Sequence, residues 1–179
     1  MAILVTGGAG YIGSHMVQAL VERGEEVVVL DNLSTGMWWA IPPEAKLVEG
    51  DIGDEALLDR VMGQYKFDAV VHFAGSIVVP DSVKDPLGYY LNNTVKSRML
   101  MACAVKAGIP RFIFSSTAAV YGDVPAEPVF EDRQPAPVSP YGFSKLMTEQ
   151  MLKDSAFAYG LKYVALRYFN VAGGDPRGR

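Results

Sequence analysis

The apolar run Ile3-Leu4-Val5 leads directly into Thr6-Gly7-Gly8-Ala9-Gly10-Tyr11-Ile12-Gly13. This segment satisfies G-x-G-x-x-G from Gly8, and also a G-x-x-G-x-x-G spacing from Gly7. Glycines so placed let the backbone turn tightly and approach a pyrophosphate, whose charge the N-terminus of the following helix stabilises. Alone, such a loop is equally a bare strand-to-helix turn. Its context adds an acid: a second apolar run, Val27-Val28-Val29-Leu30, ends at Asp31, 18 residues past Gly13. A carboxylate there can accept hydrogen bonds from both hydroxyls of an adenosine ribose and would repel a 2′-phosphate. No Lys or Arg lies between Asp31 and Pro43 to offset that repulsion, so the pattern predicts NAD rather than NADP. No Gly-Lys-Ser/Thr follows the glycines, which excludes a phosphate-loop NTPase.

A second pair of groups lies far downstream. Tyr141-Gly142-Phe143-Ser144-Lys145 sets a phenol and an ammonium four residues apart, on one face of a helix. A tyrosine titrates at about 10, so as a general base near neutrality it needs a positive neighbour, which favours the phenolate. Oxidised nicotinamide would add a second positive charge. The pair by itself fits equally an amphipathic helix with a surface lysine and a half-buried tyrosine. Ser115-Ser116-Thr117 closes the fifth apolar run, where a hydroxyl could hold a reacting substrate oxygen; Ser115 and Ser116 suit capping and turn duty better than Thr117 does. His15 and His72 have no third ligand nearby, so no metal site is expected. The single cysteine, Cys103, excludes an internal disulfide and reads as a small core residue.

These groups need a scaffold. The 179 residues are 50% hydrophobic, 20% charged and 11% aromatic, which excludes a disordered chain and allows a sizeable core. Lys plus Arg number 16 against 20 Asp plus Glu, a net charge of −4 with no basic block, so neither nucleic acid nor an anionic membrane is an expected partner. No apolar stretch approaches the roughly 18 residues of a membrane span, and the start has no signal-peptide pattern; a soluble cytoplasmic protein is expected. Further apolar runs are Lys46-Leu47-Val48, Ala69-Val70-Val71-His72-Phe73, Arg111-Phe112-Ile113-Phe114-Ser115 and Tyr163-Val164-Ala165-Leu166-Arg167. They do not alternate polar with apolar, as befits strands buried on both faces. Helical spacing predicts helices over 11–22, 54–63, 86–107 and 140–159, with long loops at 31–45 and 121–139. Six strands with helices between them make an α/β, doubly wound parallel sheet of Rossmann type, with the ligand at the carboxyl ends of the strands. Trp38 and Trp39, in the first loop, would cover the adenosine or cap the core.

With these motifs in order, the chain resembles the N-terminal, cofactor-binding part of an extended short-chain dehydrogenase/reductase, most closely the UDP-hexose 4-epimerases. The resemblance rests on the glycine loop, Asp31-Asn32, Gly50-Asp51-Ile52, His72-Phe73-Ala74-Gly75, Tyr89-Tyr90 with Asn92-Asn93, and Phe114-Ser115-Ser116-Thr117. It continues through Val120-Tyr121-Gly122, Ser139-Pro140-Tyr141-Gly142 with Lys145, and Arg167-Tyr168-Phe169-Asn170. It implies that Gly7, Gly10, Tyr11, Ile12 and Gly13 meet the pyrophosphate, Asp31 and Asn32 the adenosine ribose, and Asp51 and Ile52 the adenine. Phe73, Ala74, Gly75, Asn93, Ser115 and Phe169 would also contact NAD, and Asn170 the nucleotide sugar. Tyr141 would be the catalytic base, Lys145 would lower its pKa and hold the nicotinamide ribose, and Thr117 would hydrogen-bond the sugar O4. The implied reaction oxidises C4 of UDP-glucose or UDP-galactose and returns the hydride to the other face of the 4-keto sugar.

Two departures stand out. The family often has serine where Thr117 stands, which preserves the hydroxyl. Many members carry a lysine after Phe-Ala-Gly where this chain has Ile77. Dehydratases of the superfamily place Asp-Glu after the threonine; Ala118-Ala119 here argues against elimination, though not against epimerisation of another sugar such as UDP-glucuronate. A non-catalytic NAD-binding module is the alternative of a different class. The sequence ends nine residues after Asn170, where family members continue into a smaller sugar-nucleotide domain. The chain is thus expected to be one NAD-binding domain, residues 1–179, of a longer enzyme. Members like it often form homodimers through helices matching 86–107 and 140–159.

Overall fold

The structure, a computed structural model, describes residues 2–124, 128–175 and 177–178. Pro125 of the second long loop lies outside the described residues. Among the described residues, six strands form one parallel sheet: β1 (Ala2–Thr6), β2 (Glu26–Asp31), β3 (Lys46–Glu49), β4 (Phe67–His72), β5 (Arg111–Ser115) and β6 (Lys162–Leu166). Their order is β3-β2-β1-β4-β5-β6, so the chain winds outward from β1 in one direction and then from β4 in the other. This is the expected doubly wound architecture, with its switch point between β1 and β4.

Side chains within each strand divide between two cores. Leu4, Val28, Leu30, Val70, Phe112 and Phe114 face one side of the sheet, where they meet Leu58 of α2 (Glu55–Gln64), Leu100 of the fifth helix and Leu152 of the last. Val5, Val27, Val29 and Val71 face the other, against Val17 of α1 (Tyr11–Glu22). Burial on both faces is why these strands read as unbroken apolar runs.

The helices start where their caps allow. Asp54 accepts from the Leu57 amide at 3.0 Å to open α2, and Ser139 accepts from the Gly142 amide at 3.1 Å to open α6 (Pro140–Tyr159). Gly160, at φ +72°, ends α6 in the left-handed conformation. The helix expected over 86–107 is more elaborate. Asp85 caps α4 (Pro86–Tyr89), a π-helical stretch follows at Tyr90–Val95, and α5 (Lys96–Lys106) continues the path. A further short helix, α3 (Val79–Lys84), precedes them. In the first long loop Trp38–Ala40 form one 3₁₀ turn. Trp38 and Trp39 are 68% and 67% exposed, so they cap no core, and neither lines the cleft described below.

One polar chain crosses the buried centre. His72, at the end of β4, is 1% exposed and shares hydrogen bonds with Thr6 through Nδ1 and with Ser97 through Nε2, both at 2.7 Å. Burial, with a smaller contribution from the Lys145 charge, pulls its pKa down to about 3. Unfolded histidine titrates near 6.5, so between these values the unfolded chain holds the extra proton and stability falls as pH drops. Urea unfolding between about pH 7 and 5 should show this decline, approaching ~1.4 kcal/mol per pH unit at the lower end. His72→Asn should flatten it; equal slopes in the two proteins would show that His72 is not its source.

Candidate active site

A cleft of about 530 Å³ opens at the carboxyl ends of β1 to β5. Its floor is the glycine loop, and Gly7, Gly10, Tyr11, Ile12 and Gly13 all line it. The loop admits no larger residues at two points. Gly7 has φ +70°, and a Cβ there would lie 2.4 Å from the Ala74 amide nitrogen; one on Gly13 would lie 2.1 Å from the Gly7 carbonyl oxygen. These close approaches lay the start of α1 directly over the β1–β4 junction. The N-cap residue, Gly10, has no side chain to occupy the helix N-terminus, where backbone N–H groups favour an anion.

Asp31, 8% exposed, forms one wall. Its Oδ2 accepts from the Ala9 amide and its Oδ1 from the Leu33 amide, both at 2.9 Å. An ionised carboxylate has about four acceptor positions, so the two bonds that orient this one leave room for a diol. Asn32 and Asp51 stand next to it and pair with each other at 3.2 Å; Ile52 completes that end of the cleft. Phe73, Ala74 and Gly75 line the opposite wall, the amides of Phe73 and Ala74 both donating to the Thr6 carbonyl. Ser115 also lines the cleft, its hydroxyl hydrogen-bonded to that of Tyr168.

The remaining expected residues lie behind or beside this wall. A Cβ on Gly75 would be 3.0 Å from Asn93 Oδ1 and 3.4 Å from Lys145 Nζ, so both side chains sit immediately behind it. The Asn93 carboxamide accepts from the Ser76 amide at 2.7 Å and donates to the Ser76 carbonyl and the Ser144 hydroxyl. It thereby holds the Gly75-Ser76 turn and does not face the cleft. Lys145 is 3% exposed, which removes the surface-lysine reading; Nζ donates to the Ser115 carbonyl at 3.0 Å and lies 5.0 Å from the centre of the Phe114 ring. Burial lowers its pKa to about 8. Tyr141, 9% exposed, has its phenol beside the Thr117 hydroxyl. Burial pushes the phenol above its ordinary value, and the hydrogen bond from Thr117 only partly offsets this. Lys145, expected to lower the phenol, is not among the groups that shift it, and the ammonium itself donates to the Ser115 carbonyl. Phe169 is 68% exposed and Asn170 is exposed too. Tyr168 takes the inward position there, with its carbonyl accepting from the Ala118 amide.

Some site residues escaped the sequence reading. Ser34, Thr35 and Gly36 line the cleft just past Asp31, and Val78 joins Ile77, already singled out in the sequence, at its apolar lip. Glu149 repeats the spacing of Tyr141 and Lys145 once more along α6, a signal that was available. Its carboxylate accepts from the Ser116 hydroxyl and takes a forked bond from Arg167, with Nη2 at 2.6 Å. Arg167 also donates to the Tyr121 hydroxyl at 3.1 Å. These bonds fasten the ends of β5 and β6 to α6, around Thr117.

The glycine loop and the oriented acid on a switch-point cleft, with the buried Tyr-Lys pair beside its wall, define a dinucleotide-binding α/β protein. A profile of the NAD dependent epimerase/dehydratase family matches residues 3–179. The chain is 59% identical over 177 residues to a UDP-glucose 4-epimerase of Azospirillum brasilense, covering 99% of this chain and 51% of that protein. It is 51% identical to one of Lacticaseibacillus casei, covering 99% and 54%. Among solved structures, UDP-glucose 4-epimerase from Brucella ovis in complex with NAD superposes with a TM-score of 0.94 at 46% identity, covering 97% of this chain and 53% of that one. The Thermotoga maritima UDP-glucose 4-epimerase with UDP-glucose gives 0.93 at 43%, covering 97% and 57%. This chain belongs to the NAD dependent epimerase/dehydratase family. It spans about half the length of the curated relatives it matches.

The Glu149 cluster makes a stability prediction. The two side chains are 9% and 22% exposed, and truncating one member of such a pair strands the other charge. Glu149→Ala should cost about 3 kcal/mol in denaturant unfolding; a loss below ~0.5 kcal/mol would mean the fork contributes no more than a surface pair.

Proposed function

We propose that this chain, as one dinucleotide-binding domain over residues 1–179, binds NAD in the cleft and carries the catalytic residues for interconverting UDP-glucose and UDP-galactose at C4. The observation that carries the reading is the joining of two features in one place. A glycine cradle and oriented Asp31 fit a dinucleotide, and beside the cleft wall buried Lys145 donates to the carbonyl of cleft-lining Ser115, two residues before Thr117, whose hydroxyl meets the Tyr141 phenol. The names of the relatives, UDP-glucose 4-epimerases, and the NAD complex among the solved structures support the same choice.

The roles follow from the chemistry of each group. Gly7 and Gly13 let the pyrophosphate reach the start of α1, and Asp31 accepts from the adenosine ribose. Bound NAD supplies a reversible hydride acceptor. Tyr141 takes the proton from the sugar 4-hydroxyl and returns it, while Thr117 holds O4 in line. With the phenol raised by burial in the protein alone, the positive charge arriving with the dinucleotide would complete what Lys145 begins. Phe169 and Asn170 sit on an exposed strand exit, next to where the nucleotide sugar would enter.

Exposed apolar residues on the helices expected to pair support a homodimer. Leu87, Leu91 and Val95 are 78%, 54% and 51% exposed along α4 and the π-helical stretch, and Phe143 and Met147 are exposed on α6. A second copy covering them would remove this apolar surface from water.

Two experiments test this. Heat-denatured protein should release about one NAD per chain, and in a preparation forming UDP-galactose, Tyr141→Phe should keep the NAD while losing at least ~100-fold in rate. An unchanged rate, or no nucleotide taken up, contradicts the reading. Light scattering should find a dimer that Leu91→Glu dissociates; a wild-type monomer removes the dimer.

A further inference from the structure

We propose that Lys96 is a specificity-determining positioning residue for the base of the bound dinucleotide, holding Asp51 so that its free acceptor position selects an amino-bearing purine. The inference rests on the reading of the cleft as an NAD site and goes beyond it to a residue outside the cleft wall.

Three donors fix the Asp51 carboxylate. Lys96 Nζ lies 2.6 Å from Oδ2, Asn32 Nδ2 lies 3.2 Å from the same oxygen, and the Gly53 amide donates to Oδ1 at 2.8 Å. Of about four acceptor positions on an ionised carboxylate, three are filled, and the last belongs to Oδ1. Burial alone would raise the Asp51 pKa, but the hydrogen bonds from Lys96, Gly53 and Asn32 outweigh it, so the group stays an acceptor at neutral pH. Asp51 and Asn32 line the cleft whereas Lys96 does not, so the lysine acts through Asp51.

The approach depends on Gly53. A Cβ there would lie 3.0 Å from Lys96 Cγ and 3.1 Å from Asp51 Oδ1, so the lysine stem packs across the turn that presents the carboxylate. The pair is a clamp of two parts, a methylene stem over the turn and an ammonium on the acid. It is only partly exposed, with side chains at 25% and 34%. An oxygen that can only accept must meet a donor. Adenine offers its exocyclic amine; hypoxanthine has a carbonyl oxygen at that position, another acceptor, which the carboxylate repels.

The test compares nucleotide-stripped protein titrated with NAD and with nicotinamide hypoxanthine dinucleotide. Wild type should prefer NAD by about tenfold, the equivalent of ~1.4 kcal/mol. Lys96→Met keeps the stem and removes the charge; it should lose most of that preference through weaker NAD binding, with the hypoxanthine analogue unchanged. Lys96→Arg should restore it. A merely structural lysine would weaken both dinucleotides alike. Should Lys96→Met fail to fold, Lys96→Gln carries the same comparison. A preference that persists in the uncharged variant overturns the inference, as does wild type binding both dinucleotides equally, which leaves the NAD reading standing. Wild type that binds neither overturns both.

Discussion

The backbone of Gly7 runs so close to Ala74 that no side chain fits between them, and this contact sits at the one point where the sheet reverses its winding. From β1 the chain moves outward through β2 and β3; from β4 it moves the other way through β5 and β6. Loops leaving β1 and β4 therefore part in opposite directions and leave a crevice between them. Because Gly7 and Gly13 lack side chains, α1 can begin inside that crevice. Asp31, two backbone amides on its carboxylate, then marks the far wall. A bulkier residue at Gly7 would separate β1 from β4 at the carboxyl edge and misplace every group that depends on their spacing.

Electrostatics beyond the crevice follow from burial. His72 and Lys145 lie near each other under the β4–β5 edge, and burial drives both toward their neutral forms. Tyr141 is pushed the same way, toward the neutral phenol. The Tyr141 phenol thus keeps its proton in the protein alone, which suits its proposed role as a base that acts once the dinucleotide is bound. The Glu149–Arg167 fork differs: fully engaged on both sides, it acts as a fastening for the strand ends around Thr117.

Strands and their neighbouring helices were legible because each strand is buried on both faces and each long helix carries its own stop signal. Pro80 disguised the short α3 as loop, whereas Pro86, at a first helical position, announced the start of α4. The π-helical stretch at Tyr90–Val95 was hidden because apolar periodicity does not register one extra residue per turn; the consequence is an Asn93 that points into the Gly75-Ser76 turn. The glycine loop, Asp31 and the Tyr141-Lys145 pair could be read because their function depends on local spacing. Thr117 beside Tyr141 and Lys96 on Asp51 are long-range meetings, the latter 45 positions apart, and no local pattern announces them. The exposure of Phe169 was equally unreadable, since it depends on Tyr168 turning inward to Ser115.

Asp31, oriented by two backbone amides, is the group proposed to accept the adenosine ribose. Calorimetric titration of nucleotide-stripped protein with NAD and with NADP tests that most directly. The account predicts saturable NAD binding at one site per chain and NADP at least ~10-fold weaker, because a 2′-phosphate would face a carboxylate with no cation to offset it. NADP binding as tight as NAD, or no binding of either, would contradict it.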